Sequence, residues 1–150
     1  MKAIFALVVC GAAAAPLLSA AQEPEKLSCI KDVVYSQQFL AKYPRAPAGC
    51  REVELRDGQK WIRFEARVVK VDGNQMTADF IDNHDQTIAT LTFQAGPNAM
   101  VQVDGRDTKY KNLKSGDDLT LWVPESRFGF YSNPKPSTQL TLINDGTAQR

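Results

Sequence analysis

The stretch KWIRFEARVVKVDGNQMTADFI, residues 60–81, decides the fold class of this chain. From Ile62 to Val68 every second residue is apolar, which is the period-two pattern of a half-buried β-strand. The alternation changes phase at Val69, and a one-residue slip of this kind marks a β-bulge or a barrel corner. The pair Asp72-Gly73 then separates this run from a second alternating run. The stretch therefore predicts two long strands joined by a tight hairpin.

The same pattern continues on both sides of this hairpin. Asp57-Gly58 and Asp104-Gly105 are two further D-G pairs between alternating runs. Short antiparallel strands at such close spacing make a small barrel or sandwich, so we predict a mainly β fold of one of these two kinds. The predicted strands cover residues 51–56, 60–71, 75–82, 87–94, 99–103, 106–110, 118–123, 127–132 and 139–143.

The N-terminus has the pattern of a secretory signal peptide over residues 1–21. One lysine precedes an apolar run that ends in small residues, and the expected cleavage follows Ala21. The run is shorter than the roughly 20 residues that span a membrane, so no membrane span is expected after cleavage. We therefore expect a periplasmic or secreted protein with a single domain over residues 22–143 and a flexible tail over residues 144–150.

The charge balance argues against nucleic acid as a partner. Loss of Lys2 with the signal peptide would leave 17 of the 18 basic residues beside 17 acidic ones. A nucleic-acid-binding domain normally carries a basic surface, and a neutral chain offers no such footprint.

Cys29 and Cys50 are the two cysteines that remain after cleavage. In an exported chain, the simplest interpretation is a structural disulfide. A redox pair or a zinc site are the alternatives, but the sequence has no C-x-x-C and only one histidine, whereas zinc takes about four ligands. We expect no metal and no cofactor.

The segment SCIKDVVYSQQFLAKYP, residues 28–44, predicts a helix between the cysteines. Ser28 is a suitable N-cap, and Pro44 would end the helix. The apolar residues at helical spacing predict a core-facing stripe. This stripe consists of Leu27, Ile30, Val33, Val34 and Leu40.

A second side of the predicted helix carries aromatic residues. Tyr35, Phe39 and Tyr43 follow each other at intervals of four residues, which places them in one line. A helix that is apolar on two sides is either enclosed within the fold or exposes one side to a partner. The sequence leaves both alternatives open.

The stretch LWVPESRFGFY, residues 121–131, mixes aromatic residues with one arginine. Alternation directs Leu121 and Val123 into the core and predicts that Phe128 and Phe130 are mostly buried. Trp61 and Trp122 lie on the opposite parity, where we expect the aromatic line of the helix to cover them. This face is the candidate binding surface or, alternatively, a buried junction between helix and barrel. The candidate binding residues are Trp122, Arg127, Tyr131, Tyr35, Phe39 and Tyr43.

A V-x-V-D-G hairpin is followed by an L-x-x-G-D turn that leads into a strand. The residues are Val101, Val103, Asp104, Gly105, Leu113, Gly116, Asp117 and Leu119. On these residues the segment 64–123 resembles the small β-barrel modules, similar to OB or SH3-like folds, of uncharacterised secreted bacterial proteins. The resemblance implies a barrel and no particular activity, because such barrels carry many unrelated functions.

Residues with catalytic potential are scattered and form no recognised motif. His84 lies among polar residues that favour a solvated turn. Asp117 and Asp118 are neighbours on a strand and would point to opposite faces, so they cannot act together as a glycosidase pair. The charged face from Arg63 to Arg67 could hold an acidic ligand, but alternating charge is equally typical of an exposed strand. We therefore expect a protein that is not an enzyme.

A binding module of the bacterial envelope is the remaining class. A mixed patch of aromatic residues and arginine favours a protein partner, whereas a flat array of tyrosine and tryptophan rings would favour glycan or cell-wall binding. The stretch over residues 121–131 is of the mixed kind. Protein binding is therefore the first expectation, glycan binding the alternative, and a small hydrolase the least favoured.

Overall fold

The structure is a computed structural model that describes residues 25–96, 98–126, 129–134 and 139–144. The predicted signal peptide, the residues Arg127 and Phe128, and all of the predicted tail except Asn144 lie outside the described residues.

The described chain is built mainly of β-strands, with two short helices near its start. The helices are α1 (Gln37–Lys42) and α2 (Ala46–Gly49), and a 3₁₀ turn covers Tyr110–Asn112. The strands are β1 (Glu25–Leu27), β2 (Glu52–Arg56), β3 (Gln59–Asp72), β4 (Gln75–Ile81), β5 (Thr87–Gln94), β6 (Met100–Val103), β7 (Arg106–Lys109), β8 (Asp118–Pro124), β9 (Phe130–Tyr131) and β10 (Gln139–Asn144).

Six of these strands form a closed antiparallel barrel. Around the ring they follow the order β3, β4, β5, β10, β9 and β8, and β8 pairs again with β3. Strands β1 and β2 extend the sheet from β3, and the β6–β7 hairpin extends it from β8. Of the two predicted architectures, barrel and sandwich, the structure shows the barrel.

Strand β3 is 14 residues long and organises the barrel. One of its edges pairs first with β2 and then with β4, while its other edge pairs with β8 from Trp61 to Arg67. The register with β4 shifts between Val68 and Lys70, so the predicted bulge at Val69 is confirmed. The strand contributes to three pairings because β2 and β4 occupy successive parts of one edge, up to Arg63 and from Glu65 onward, while β8 occupies the other edge.

Two of the three D-G pairs form the predicted turns, whereas at the third pair Asp72 belongs to β3 and the two-residue turn is Gly73-Asn74. Asp57 and Asp104 have φ angles of 50° and 48°, and the glycines that follow them have φ angles of 73° and 74°. Two successive residues with positive φ are the requirement of a type I′ hairpin turn, in which glycine avoids the steric cost at the second position.

Aromatic contacts fill the centre of the barrel. The ring centroids of Phe80 and Phe93 lie 6.1 Å apart, and both rings contact Phe130 at 5.2 and 5.5 Å. The barrel interior is formed by buried residues of alternating parity, as the sequence predicts. They include Ile62, Phe64, Ala66, Val68, Met76, Ala78, Leu91, Leu119, Leu121, Val123 and Leu140.

The single long helix predicted between the cysteines is not confirmed. Helix α1 has six residues and begins after Ser36, whose hydroxyl accepts a hydrogen bond from the backbone N–H of Phe39 at 3.2 Å. Ser28 instead caps a turn, because its hydroxyl accepts from the backbone N–H groups of Ile30 and Lys31.

The predicted core-facing stripe of this helix is confirmed only in part, because Leu27 and Val33 pack against the core while two other members are exposed. Ile30 is 91% exposed and Val34 is 74% exposed. The run Val33-Val34 disfavours a helix because β-branched side chains lose rotamer freedom there. Long-range contacts then decide the path of the chain, and the disulfide between Cys29 and Cys50, with 5.9 Å between their Cα atoms, confirms the predicted pairing.

Candidate functional site

The predicted aromatic line of Tyr35, Phe39 and Tyr43 is present in the structure, and it packs against the barrel interior. The Tyr35 and Phe39 rings stack with centroids 5.7 Å apart, and Phe39 meets Tyr43 edge to face at 5.2 Å. Tyr43 in turn contacts Phe130 at 6.1 Å. A small apolar cavity of about 20 Å³ remains beneath α1 and α2. The line therefore seals one end of the barrel, with Phe39 and Tyr43 buried.

The two tryptophans form a separate cluster with Tyr131. Trp61, Trp122 and Tyr131 are each at most 5% exposed, and the Trp61 and Tyr131 rings meet edge to face at 5.3 Å. Tyr131 and Phe130 are neighbours on β9 and point to opposite faces. Because Phe130 contacts the aromatic line, the tryptophan cluster lies on the other side of the barrel wall.

The expected cover of the tryptophans by the aromatic line is therefore wrong. The period-two pattern correctly places the tryptophans off the core parity, but it cannot show which element packs against them. The indole Nε1 of Trp122 is buried and has no hydrogen-bond partner within the described part of the chain. The arginine predicted at this face, Arg127, lies outside the described residues.

The charged outer face of β3 is internally paired. Arg63 Nε lies 3.2 Å from a carboxylate oxygen of Glu52, and the Nε of Arg67 donates to Asp118 at 2.8 Å. This hydrogen bond and the charge of Asp118 raise the pKa of Arg67. Glu65 is likewise 3.3 Å from Arg51. The carboxylates balance the charge of the guanidinium groups, so ion pairing between strands explains this face better than an acidic ligand does. The Nε atoms of Arg51 and Arg63 make no hydrogen bond within the described residues.

His84 lies in an organised turn between β4 and β5. The Oδ1 of Asp82 accepts from the backbone N–H groups of His84 and Gln86 at 2.8 and 3.0 Å, and these bonds lower the pKa of Asp82. Arg51 donates to the carbonyl of Asp82 at 2.8 Å and to the side chain of Asn83 at 2.7 Å. The His84 side chain is exposed. The predicted solvated turn is confirmed.

The segment over residues 28–36, here called the arm, is held against the barrel at several points. Cys29 is joined to Cys50 by the disulfide. Lys60 Nζ donates to the carbonyl of Asp32 at 2.5 Å, and the backbone N–H of Val34 donates to Glu125 Oε1 at 2.8 Å. The arm thus has a fixed path although it contains no helix.

A groove of about 160 Å³ lies between the arm and the end of β8, and we call it the arm groove. The sequence could not reveal it, because the contact between Val34 and Glu125 joins positions 91 residues apart. Its walls are formed by Val34, Tyr35, Ser36, Gln38, Phe39, Ile62, Val123, Pro124, Glu125 and Ser126.

Tyr35 is the groove residue with an unsatisfied polar atom. Its hydroxyl is buried and has no hydrogen-bond partner within the described residues. Burial raises the pKa of Tyr35 to about 12, so the group is a neutral phenol at physiological pH. Leaving a buried hydroxyl unpaired costs about 1–3 kcal/mol, which makes this oxygen a candidate contact for a ligand.

The exposed apolar side chains of the described chain are aliphatic, and two of them belong to the arm. Ile30 and Val34 are 91% and 74% exposed, well above Val69, Met100 and Ile143, at 44%, 36% and 46%. Of the predicted candidate binding residues that the structure describes, only Tyr35 lines the arm groove and is partly exposed. The most exposed large apolar residues of the described chain therefore belong to the arm, whereas Trp122 and Tyr131 of the stretch over residues 121–131 are buried.

The chain matches no protein-family model, no curated protein and no solved structure. Within the described ranges, no group of three or more His, Cys, Asp or Glu side chains is placed to hold a metal ion. The helices described there are too short or too polar to cross a membrane.

Proposed function

We propose that this chain is an exported, non-catalytic module of the bacterial envelope that binds another protein through its arm. The observation that carries this proposal is the exposure of Ile30 and Val34 on a segment that is fixed to the barrel. The disulfide is compatible with a periplasmic or extracellular location, and the signal-like residues 1–21 support export.

Burial of the two exposed aliphatic side chains would stabilise a complex with a partner protein. Complete burial of one valine or isoleucine side chain is worth about 1.5–3 kcal/mol. A partner that covers both Ile30 and Val34 would gain this free energy with little ordering cost, because the disulfide and the Val34–Glu125 hydrogen bond already fix the arm. Single exposed aliphatic residues are ordinary, but these two lie on one fixed segment, and Val34 also lines the arm groove.

The size of the arm groove also favours a protein partner. Its volume is about 160 Å³, whereas sites for small-molecule ligands usually measure about 300–1,000 Å³. A groove of this size suits one anchoring side chain of a protein, surrounded by contacts that exclude water.

Glycan binding is the alternative with less support. It would use exposed, flat aromatic rings, and Trp61, Trp122 and Tyr131 are buried. Tyr35 is partly exposed and could contact a single sugar ring. Binding to cell-wall oligosaccharides is therefore tested alongside protein binding.

Chemical cross-linking in the native envelope tests the proposal. Wild type is compared with the double variant Ile30→Glu with Val34→Glu, and with Ile143→Glu as a matched control for an exposed isoleucine elsewhere. We expect the arm variant to lose its cross-linked protein while its melting temperature stays within a few degrees of wild type. The control should retain the same cross-linked protein, identified by mass spectrometry.

Two outcomes would overturn the proposal. One is an identical set of cross-linked proteins for wild type and the arm variant. The other is binding of wild type to immobilised cell-wall oligosaccharides that the arm variant also shows, since this would assign a glycan site elsewhere.

A further inference from the structure

The apolar part of the arm groove is suited to a long hydrocarbon chain. Val34 forms one side, and Ile62, Val123 and Pro124 come from the adjoining ends of β3 and β8. The groove, at about 160 Å³, offers room for one extended side chain.

Glu125 is the charged residue among those that line the groove. Its Oε1 accepts from the backbone N–H of Val34 and lies 3.5 Å from Lys60 Nζ. Lys60 Nζ is closer to the carbonyl of Asp32, at 2.5 Å, so that carbonyl is its shorter contact. The side-chain contacts of Glu125 in the described part of the chain use Oε1, so Oε2 can still accept a hydrogen bond from a ligand.

The remaining polar groups divide into engaged and available ones. The Ser36 hydroxyl caps α1, and the Ser126 hydroxyl bonds to the side chain of Gln59. The hydroxyl oxygen of Tyr35 is buried without a partner and can accept a hydrogen bond. Glu125 Oε2 and the Tyr35 hydroxyl can thus both accept, and Glu125 carries negative charge. The exposed amide of Gln38 adds a neutral acceptor and donor at the groove.

We propose that the arm groove receives one basic side chain, arginine or lysine, from the partner protein. The hydrocarbon stem would pack against Val34 and Ile62, and the cationic head would donate to Glu125 Oε2 and to the Tyr35 hydroxyl. Arginine and lysine combine an apolar stem with a charged end, as the two parts of the groove require. This inference rests on the proposed function, because it presupposes that the partner is a protein.

The experiment uses the full disulfide-bonded chain and defined peptides. Three acetylated and amidated pentapeptides carry arginine, leucine or glutamate between two pairs of glycines. NMR titration follows the backbone amides of Val34 and Glu125. We expect these amides to shift with the arginine peptide and to stay unchanged with the leucine and glutamate peptides.

Glu125→Gln is the decisive variant. Its amide oxygen can still accept from the Val34 N–H, so the arm stays attached while the negative charge is removed. We expect the affinity for the arginine peptide to fall about tenfold, as for the loss of one charge-assisted contact. Glu65→Gln is the matched control, because Glu65 pairs with Arg51 on the outer face and should leave the affinity unchanged.

Tyr35→Phe is the second variant and removes only the hydroxyl. It should weaken binding of the arginine peptide severalfold without lowering the melting temperature, since the hydroxyl has no structural partner. This variant keeps the inference testable if Glu125→Gln fails to fold.

The inference is overturned if the leucine peptide binds as well as the arginine peptide, or if Glu125→Gln binds the arginine peptide like wild type. If cross-linking to the native partner is lost in the Ile30 and Val34 variant but intact in Glu125→Gln, the protein-binding function stands and the basic side chain is wrong. If the Ile30 and Val34 variant retains its cross-linked protein, the proposed function itself fails.

Discussion

In the barrel, β3 and β4 are hydrogen-bonded to neighbouring strands on both edges, whereas the arm over residues 28–36 follows a path set by individual tethers. The tethers include one disulfide and hydrogen bonds from Lys60 and to Glu125. A ladder distributes its stabilisation over many residues, so it tolerates the loss of any one contact. The arm depends on few contacts, and it is also the segment that exposes aliphatic side chains.

The largest expected effect concerns the barrel core. Phe93 is fully buried and contacts both Phe80 and Phe130. Phe93→Ala should lower the free energy of unfolding by about 4 kcal/mol, because it removes buried surface and leaves a cavity. Urea denaturation measures this value. Ile30→Ala, at an exposed position, should change it by less than about 0.5 kcal/mol. Similar losses for both variants would contradict the division into barrel and arm.

The second effect concerns the disulfide. Replacing Cys29 and Cys50 together by serine should cost about 3 kcal/mol, since the bridge closes a loop over a sequence separation of 21 residues. Hydrogen exchange at the Val34 amide should become much faster. The exchange rates of the β4 amides should change only by the amount that the loss of global stability accounts for. Uniform acceleration in both regions would show that arm and barrel unfold as one unit.

The third effect concerns two buried tyrosine hydroxyls that differ in their hydrogen bonding. The hydroxyl of Tyr110 donates to the carbonyl of Phe93 at 3.2 Å, whereas that of Tyr35 has no partner in the described chain. Tyr110→Phe should cost about 1 kcal/mol because it removes a buried hydrogen bond. Tyr35→Phe should be neutral or slightly stabilising. Thermal unfolding of the two variants measures the difference, and an equal loss would reveal a structural partner for Tyr35.

The smallest effect is expected at the turn between β4 and β5. His84 contributes its backbone N–H to Asp82, and its side chain is exposed. His84→Ala should therefore change the free energy of unfolding by no more than about 0.5 kcal/mol and leave partner binding intact. A loss above about 1 kcal/mol would assign the imidazole a structural contact.

The strands and turns of the barrel could be predicted from the sequence because their signals are local, but the choice between barrel and sandwich could not. Period-two alternation identifies β3, its bulge at Val69, and the strands on either side, while the D-G pairs mark the turns at Gly58 and Gly105. These properties depend on neighbouring residues and on the steric preferences of each residue type. The order of strands around the barrel adds long-range information that a pattern of this kind does not contain.

The path of the arm could not be predicted because it is set by contacts between residues far apart in the sequence. The apolar spacing of Ile30 and Val34 fits a helix, but the disulfide and the contact with Glu125 determine the path instead. The burial of the two described candidate binding residues of the stretch over residues 121–131 also depends on long-range contacts. Alternation correctly places Trp122 on the strand face opposite the core residues. It cannot show that Trp122 is buried in a cluster with Tyr131 and Trp61.

The closure of the barrel through β3 has a consequence for the order in which the protein can fold. The hydrogen bond between Arg67 and Asp118 joins residues 51 positions apart, and the whole β3–β8 seam depends on pairings of similar or greater sequence separation. Chain synthesis or translocation from the N-terminus delivers β3 and β4 well before β8. Until β8 arrives, the edge of β3 from Trp61 to Arg67 lacks its native partner and can pair with the strands of another molecule. Closing this seam should limit the folding rate, on the millisecond-to-second scale of β-proteins with non-local pairing.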